Sequence, residues 1–210
     1  MIEGKYHLRP LAGRDIDALY AISLATGLSG GDASALYDDP TLMGAIYSVP
    51  YAVLSPETAF VAEDRSGVAG YVIGALDTLA FEAQLEATWW PRLRGNYAEP
   101  PRATQTLWTA DERRIAQIYH PRRTPLTVAE AFPSHVHINL LPRAQRQGIG
   151  TALLSIWFER VRTLGASGIH AGVNPGNSGA LAFWQARGMT CLPPISETTV
   201  WLGGAIEYLG

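Results

Sequence analysis

Apolar and polar positions follow two rhythms along this chain. "YHLRPL" (6–11) has the pattern of a short strand, and "AGRDIDALYAISLAT" (12–26) sets Ile16, Leu19, Tyr20 and Ile22 near one helical face. Gly27, Gly30 and Gly31 break that helix, and a second helical region is expected within 33–54, interrupted by Pro40 and Pro50. "TAFVAED" (58–64), "RSG" and "VAGYVIGAL" (68–76) read as strand, turn and strand. "SHVHINLL" (134–141) and "GIHAGV" (168–173) are further strands, with a helix from about Gly148 to Leu164 between them. "NPGNSGALAFWQARG" (174–188) opens with turn residues and becomes a helix that Gly188 stops. "TTVWLGG" (198–204) and "AIEYLG" (205–210) predict a final strand or two. The order predicts a mixed α/β (α+β) sheet, antiparallel at first and then strand–helix–strand, with a right-handed crossover joining the parallel pair.

Residues 77–133 break the rhythm. They hold Trp89, Trp90, Tyr97, Trp108, Tyr119 and many prolines, with few strand signals. Thr109 with Glu112 has the spacing of a capping box, which predicts a helix through about Tyr119. The segment reads as an insertion of helices and irregular loops, and its aromatic content argues against disorder.

Composition narrows the class. A chain of 210 residues fits one domain, 1–210, carrying the insertion 77–133. A net charge of −3 gives no basic field for nucleic acid. The single cysteine, Cys191, has no partner for an internal disulfide or a cysteine-rich metal site. No run approaches a membrane span, and no long apolar segment follows Lys5 near the start, so a cytoplasmic protein without a membrane partner is expected.

The chemistry concentrates at Gln145-Arg146-Gln147-Gly148-Ile149-Gly150, between a strand and a helix. A helix start carries unpaired N–H groups and partial positive charge, and glycines let an anion approach them closely. Phosphate is the usual guest of such a turn, with Arg143 and Arg146 adding charge nearby. A Walker A loop is excluded because no Lys follows, and a Rossmann fingerprint because Leu153 stands where its third glycine belongs. Glycines serving packing alone is the other reading of the turn.

With Pro142 upstream, this turn resembles the Gln/Arg-x-x-Gly-x-Gly/Ala signature of the GNAT acetyltransferase superfamily, and "NSGALAFWQARGM" (177–189) resembles that family's second marker. "YHLRP", "AGYVIGALDT", "NYAEP" and "AFPSHVHINLLP" further resemble the C-terminal acetyltransferase-like domain of O-GlcNAcase and its stand-alone bacterial relatives. The hydrolase domain of O-GlcNAcase is expected to be absent from this chain. The resemblance implies the GNAT fold, acetyl-CoA as cofactor, and direct transfer of acetyl to an amine of a small molecule or a protein lysine, with a homodimer common among members.

The resemblance also implies residues. The pyrophosphate would sit on Gln145, Arg146, Gln147, Gly148, Ile149, Gly150 and Thr151. The pantetheine arm would pair with backbone at Ile138 and Leu140, where the strands splay, and the amide near Leu140 would polarise the thioester carbonyl. Asn177 would lie beside the thiol end, or cap its helix, or do both. Trp184 stands where many relatives have a tyrosine acid, and an indole cannot supply a proton at neutral pH. Relatives that draw a base from this strand do so at positions matching Ser134 or Val136. His135 and His137 have the opposite parity, and packed or surface roles are expected for them, with no third ligand evident for zinc. Asp77, at the third strand's end, is a candidate base if burial raises its pKa, or else a cap of the loop that follows. Trp90, Tyr97 and His120 are candidate acceptor-binding residues, entry being over the insertion between the first helices and the last strands. A catalytically idle acyl-CoA-binding or protein-interaction module is the alternative, motivated by the missing tyrosine.

Overall fold

The computed structural model describes residues 5–209; Met1 to Gly4 and Gly210, the ends of the expected domain 1–210, lie outside the described residues. The elements run β1 (His7–Pro10), α1 (Ile16–Ala25), α2 (Leu42–Tyr47), α3 (Val49–Leu54), β2 (Phe60–Asp64) and β3 (Gly67–Ala75). Then follow α4 (Thr78–Gln84), α5 (Trp90–Arg94), α6 (Ala110–Tyr119), α7 (Leu126–Ala131), β4 (Ser134–Leu140), α8 (Ile149–Thr163) and β5 (Gly168–Val173). The chain closes with α9 (Ser178–Gln185), β6 (Thr190–Cys191) and β7 (Val200–Ala205). The seven strands form one sheet in the order β1-β2-β3-β4-β5-β7-β6. All neighbours are antiparallel except β4 and β5, which α8 connects. This is the mixed α/β sheet that the resemblance implies.

Strand alternation sends side chains to two cores. On one face Val61, Tyr71, Ile73 and Ala75 pack against Leu19, Ile22, Leu42, Ile46, Phe81, Trp89 and Ile118 from the helices of the first half. On the other, Phe60, Ala62, Val72 and Val136 pack against Leu153, Leu154, Trp157, Phe158 and Val161 of α8. A buried apolar side chain contributes roughly 1.5–3 kcal/mol, so α8 is fixed chiefly by this face.

The segment 77–133 is helical, with one π-helical turn, Leu85–Trp89, joining α4 to α5. The extra residue of that turn lets Trp89 enter the core, its indole donating to Ala45 O at 2.9 Å, while Trp90 starts the next helix. The capping box at α6 is present: Thr109 Oγ1 accepts from Glu112 N at 3.2 Å, and Glu112 Oε2 accepts from Thr109 N at 2.7 Å. Of the final strand or two expected from 198–210, one forms, β7, which reaches Ala205. Ile206–Tyr208 is instead a 3₁₀ turn, held where Arg162 Nη2 donates to Ile206 O at 3.0 Å. Among the described residues no helix is long and apolar enough to cross a membrane.

Candidate active site

β4 and β5 pair only at Ser134↔Ile169 and His135↔His170, then diverge. Leu141 N–H bonds Ala69 O, and Tyr71↔Asn139 and Ile73↔His137 follow in the same register. Alternation then turns the N–H and C=O of Ile138 and Leu140 away from β3, toward the gap left by β5. The Leu140 carbonyl is met by Gln145 Nε2 at 2.9 Å. A cavity of about 800 Å³ fills this gap and runs from Gly148, Gly150 and Thr151 past Asn177 to His137.

The turn at its outer end leaves a run of amides open. Arg146 (φ 56°) and Gly148 (φ 77°) both take left-handed backbone, the latter where a side chain would be strained. Amides from Arg146 to Thr151 have no backbone acceptor among the described residues, and the first α8 bond runs from Ala152 N to Gly148 O. At Gly150 an added Cβ would lie 3.3 Å from both Leu140 and Phe183, narrowing the cleft. Gln147 and Ile149 offer only backbone here. The Gln147 side chain turns to Arg143 O and Lys5, and Ile149 is buried in the core beneath.

Positive charge comes from an unexpected place. Arg143 is spent on Asp64, at 2.9 Å, and on the carbonyl of Val68. Arg187, beyond α9, lies over the Phe183 ring at 4.1 Å, donates to Thr151 Oγ1, and lines the cavity. Its Nε is buried without an acceptor, and burial lowers its pKa from the ordinary value. A desolvated guanidinium with an idle donor beside an anion cradle is a cation lacking its counter-charge. One signal could have found it: Arg187 lies within the second marker motif, and Thr151 directly follows the first. Asn177 caps α9, accepting from Ala180 N at 3.0 Å, and also lines the cavity, so both of its roles coexist.

A second cavity, of about 580 Å³, adjoins the first through Tyr47, Val136, His137, Ala171 and Gly172. It lies between the first helices and the last strands, over the insertion. Tyr51, Phe81, Trp90 and Trp201 wall it, with His135, His137 and His170 along one side. Thr78 Oγ1 donates to Pro133 O at 2.6 Å, so it accepts from His135 Nδ1–H at 2.8 Å, and Tyr51 Oη donates to Nε2 at 2.9 Å. Both His135 nitrogens are thus engaged, and burial holds its pKa well down. His170 Nδ1 donates to Phe132 O at 2.6 Å. Half-buried His137 has no hydrogen-bond partner among the described residues, and burial, with His170 nearby, lowers its pKa to about 4. Tyr47 Oη accepts from Arg114 Nη1 at 2.8 Å, which brings to the junction a guanidinium without a carboxylate partner among the described residues.

Several expected residues sit elsewhere. Asp77 is exposed and caps α4, accepting from Ala80 N at 2.9 Å, so the burial a base role required is missing. Ser134 is fully buried, its hydroxyl donating to Leu76 O at 2.7 Å, and it lines neither cavity. Tyr97 donates to Asp39 Oδ2 at 2.7 Å, and exposed His120 meets Glu99 at 2.7 Å; neither borders a cavity. Trp90 does border the second cavity, and Trp184 is buried along the first. Strand parity correctly separates His135 and His137 from Ser134 and Val136, but the acceptor-sized cavity opens on the histidine side. Among the described residues no group of three or more side chains is placed to hold a metal ion.

The chain matches the acetyltransferase (GNAT) family over residues 35–189. A solved structure, SsHAT, superposes with a TM-score of 0.87 at 32% identity, covering 97% of this chain and 99% of that one. Protein O-GlcNAcase of Rattus norvegicus is 22% identical over 183 residues, which are 87% of this chain but 20% of that protein. The chain therefore spans about one fifth of the length of the curated relatives it matches. yncA of Salmonella typhimurium, solved with its cofactor acetyl-CoA, shares the fold, with a TM-score of 0.53, 14% identity, and coverage of 97% of this chain and 95% of that one.

Proposed function

The chain belongs to the acetyltransferase (GNAT) family, whose chemistry is acetyl transfer, and we propose that it acetylates an amine with acetyl-CoA as donor by direct transfer. The observation that carries this reading is one continuous cleft. It leads from an anion-binding helix start, along unpaired strand backbone, to a junction with a second cavity. The residues present fit the cofactor: open amides from Arg146 to Thr151 and the idle Arg187 Nε suit its pyrophosphate, and the free edge of β4 at Ile138 and Leu140 suits its amide-bearing arm. Acetyl-CoA supplies an activated acetyl thioester when bound.

The chain's own groups do the rest. The Leu140 amide, turned toward the gap, donates to the developing oxyanion. His137 stays neutral at neutral pH and takes the amine proton at a ring nitrogen. Its low basicity is matched by the aromatic cavity, which desolvates an ammonium and favours its free-base form. Arg114, through Tyr47, holds positive charge where negative charge is released. Trp184 shapes the cleft and supplies no proton. The insertion 77–133 forms the acceptor wall through Phe81, Glu82 and Trp90. The exposed thiol of Cys191 suits a reducing compartment, the cytoplasm.

Gly148→Leu tests the reading. The variant is expected to keep its circular dichroism and lose the rise in melting temperature that acetyl-CoA gives the wild type. An undiminished rise would remove the turn from the site.

A further inference from the structure

The second cavity also has a charge pattern, and that pattern constrains the acceptor. Its inner end is the junction with His137 and Tyr47. Its middle is apolar: Tyr51, Phe81, Trp90 and Trp201, with the buried rings of His135 and His170. Its outer end carries Arg122 and Arg123 and the hydroxyls of Ser196, Thr198 and Thr199. Arg122 is exposed and has no carboxylate partner among the described residues. Among the described residues the only carboxylate bordering the space is Glu82. It accepts from Thr124 N at 2.8 Å and lies 3.8 Å from Arg123 Nη1, so it is already engaged. The Trp201 indole N–H is buried and donates to nothing among the described residues. The cavity thus offers donors and positive charge at its mouth, and no free anion for a second ammonium.

We infer that the acceptor is a small monoamine with an apolar or aromatic body, its amine at one end and a carboxylate at the other, and that polycationic acceptors are excluded. The inference rests on the acetyltransferase reading above. A cavity of about 580 Å³ falls in the range of small-molecule sites. The body fills the ring-lined middle, the carboxylate meets Arg122, and the amine reaches His137. In the transfer an N–C bond forms and the thioester C–S bond breaks. The amine proton passes to His137 and then to solvent, the expelled thiolate takes a proton back from solvent, and the products are the N-acetyl amine and the free thiol. A polyamine or a lysine-rich tail would bring further positive charge against the unpaired Arg122, while Glu82 and Glu86 are already taken up by Arg123.

The test pairs amines that differ only in the carboxylate. Thiol release from acetyl-CoA is followed with 4-(aminomethyl)benzoate against benzylamine, 6-aminohexanoate against hexylamine, phenylalanine, spermidine and a lysine peptide. The expected result is at least about 10-fold higher kcat/KM for each carboxylated member over its partner, a difference of about 1.4 kcal/mol. Spermidine and the peptide should be poorer still. Arg122→Ala should bring the paired ratios close to one. Preference for spermidine or the peptide, equal rates within the pairs, preference for phenylalanine, or turnover of the uncarboxylated amines with none of the carboxylated ones would overturn the inference. Saturation-transfer NMR of the same amines on the protein without donor reads the acceptor cavity alone. Preferential binding of 4-(aminomethyl)benzoate there, lost in Arg122→Ala, supports the inference even if acetyl-CoA fails to bind, in which case only the donor reading falls.

Discussion

Arg187 is the residue whose surroundings say most and whose place in the sequence says least. It is one position before Gly188, in a stretch that otherwise reads as a helix end. Only folding sets it over Phe183 and against Thr151, at the mouth of the anion cradle. Charge-assisted hydrogen bonds contribute roughly 1.5–3 kcal/mol. Arg187→Ala is therefore expected to weaken CoA about 10- to 100-fold in a calorimetric titration, and unchanged affinity would free the cofactor of this contact. Asp77 and Ser134 show the reverse. Both have the right chemistry in the right neighbourhood, but a cap bond to Ala80 N, three residues on, and a bond to Leu76 O, which only folding brings near, claim them. His137 differs because its ring nitrogens are left open. His137→Gln is expected to lower kcat by about 10² or more while CoA affinity holds, as for loss of a positioned base. A kcat unchanged by that substitution would return His137 to a packing role.

At the scale of elements the sequence was largely legible, because the sheet and its two helical layers are encoded in periodicity. The strand–turn–strand at 58–76, the strand at 168–173 and the helix opening at Gly148 appear where hydrophobic rhythm predicts them. The capping box at Thr109 was readable because its chemistry is local. Thr109→Ala should cost about 1 kcal/mol, seen as a lower denaturant midpoint, with little change in CoA binding. Two features were not readable. The 3₁₀ turn at Ile206–Tyr208 is too short to carry a period. The width of the second cavity depends on α2, α3, α4 and the loop before β7 meeting in space, which no window of sequence contains. The insertion's tryptophans illustrate this: Trp89 and Trp90 are adjacent, yet one donates to Ala45 in the core and the other walls the cavity.

For the whole molecule, three histidines kept neutral in the fold make stability depend on pH. Burial lowers the pKa of His135 and His170, and that of His137 to about 4, all below the unfolded value of about 6.5. Between these values the unfolded chain binds more protons than the folded one, so stability is full above about pH 6.5 and falls as the pH drops toward 4. Asp15, Asp39 and Asp64 have lowered pKa values through their hydrogen bonds and ion pairs, with burial opposing at each, and their contribution is lost lower still. Melting temperature should therefore fall steadily below pH 6.5, with a shallower slope in His137→Gln. A flat profile between pH 6.5 and 4 would mean that these histidines titrate normally.

The central claim is that the cleft from the Gly148 turn to His137 is a working donor site. Calorimetric titration of the purified protein with acetyl-CoA, and separately with CoA, tests it most directly. Micromolar binding of both, at one site per chain, is expected, because the contacts are to the shared pyrophosphate and arm. Absence of binding by either ligand to a folded sample would contradict it and leave the glycines of the turn with packing alone.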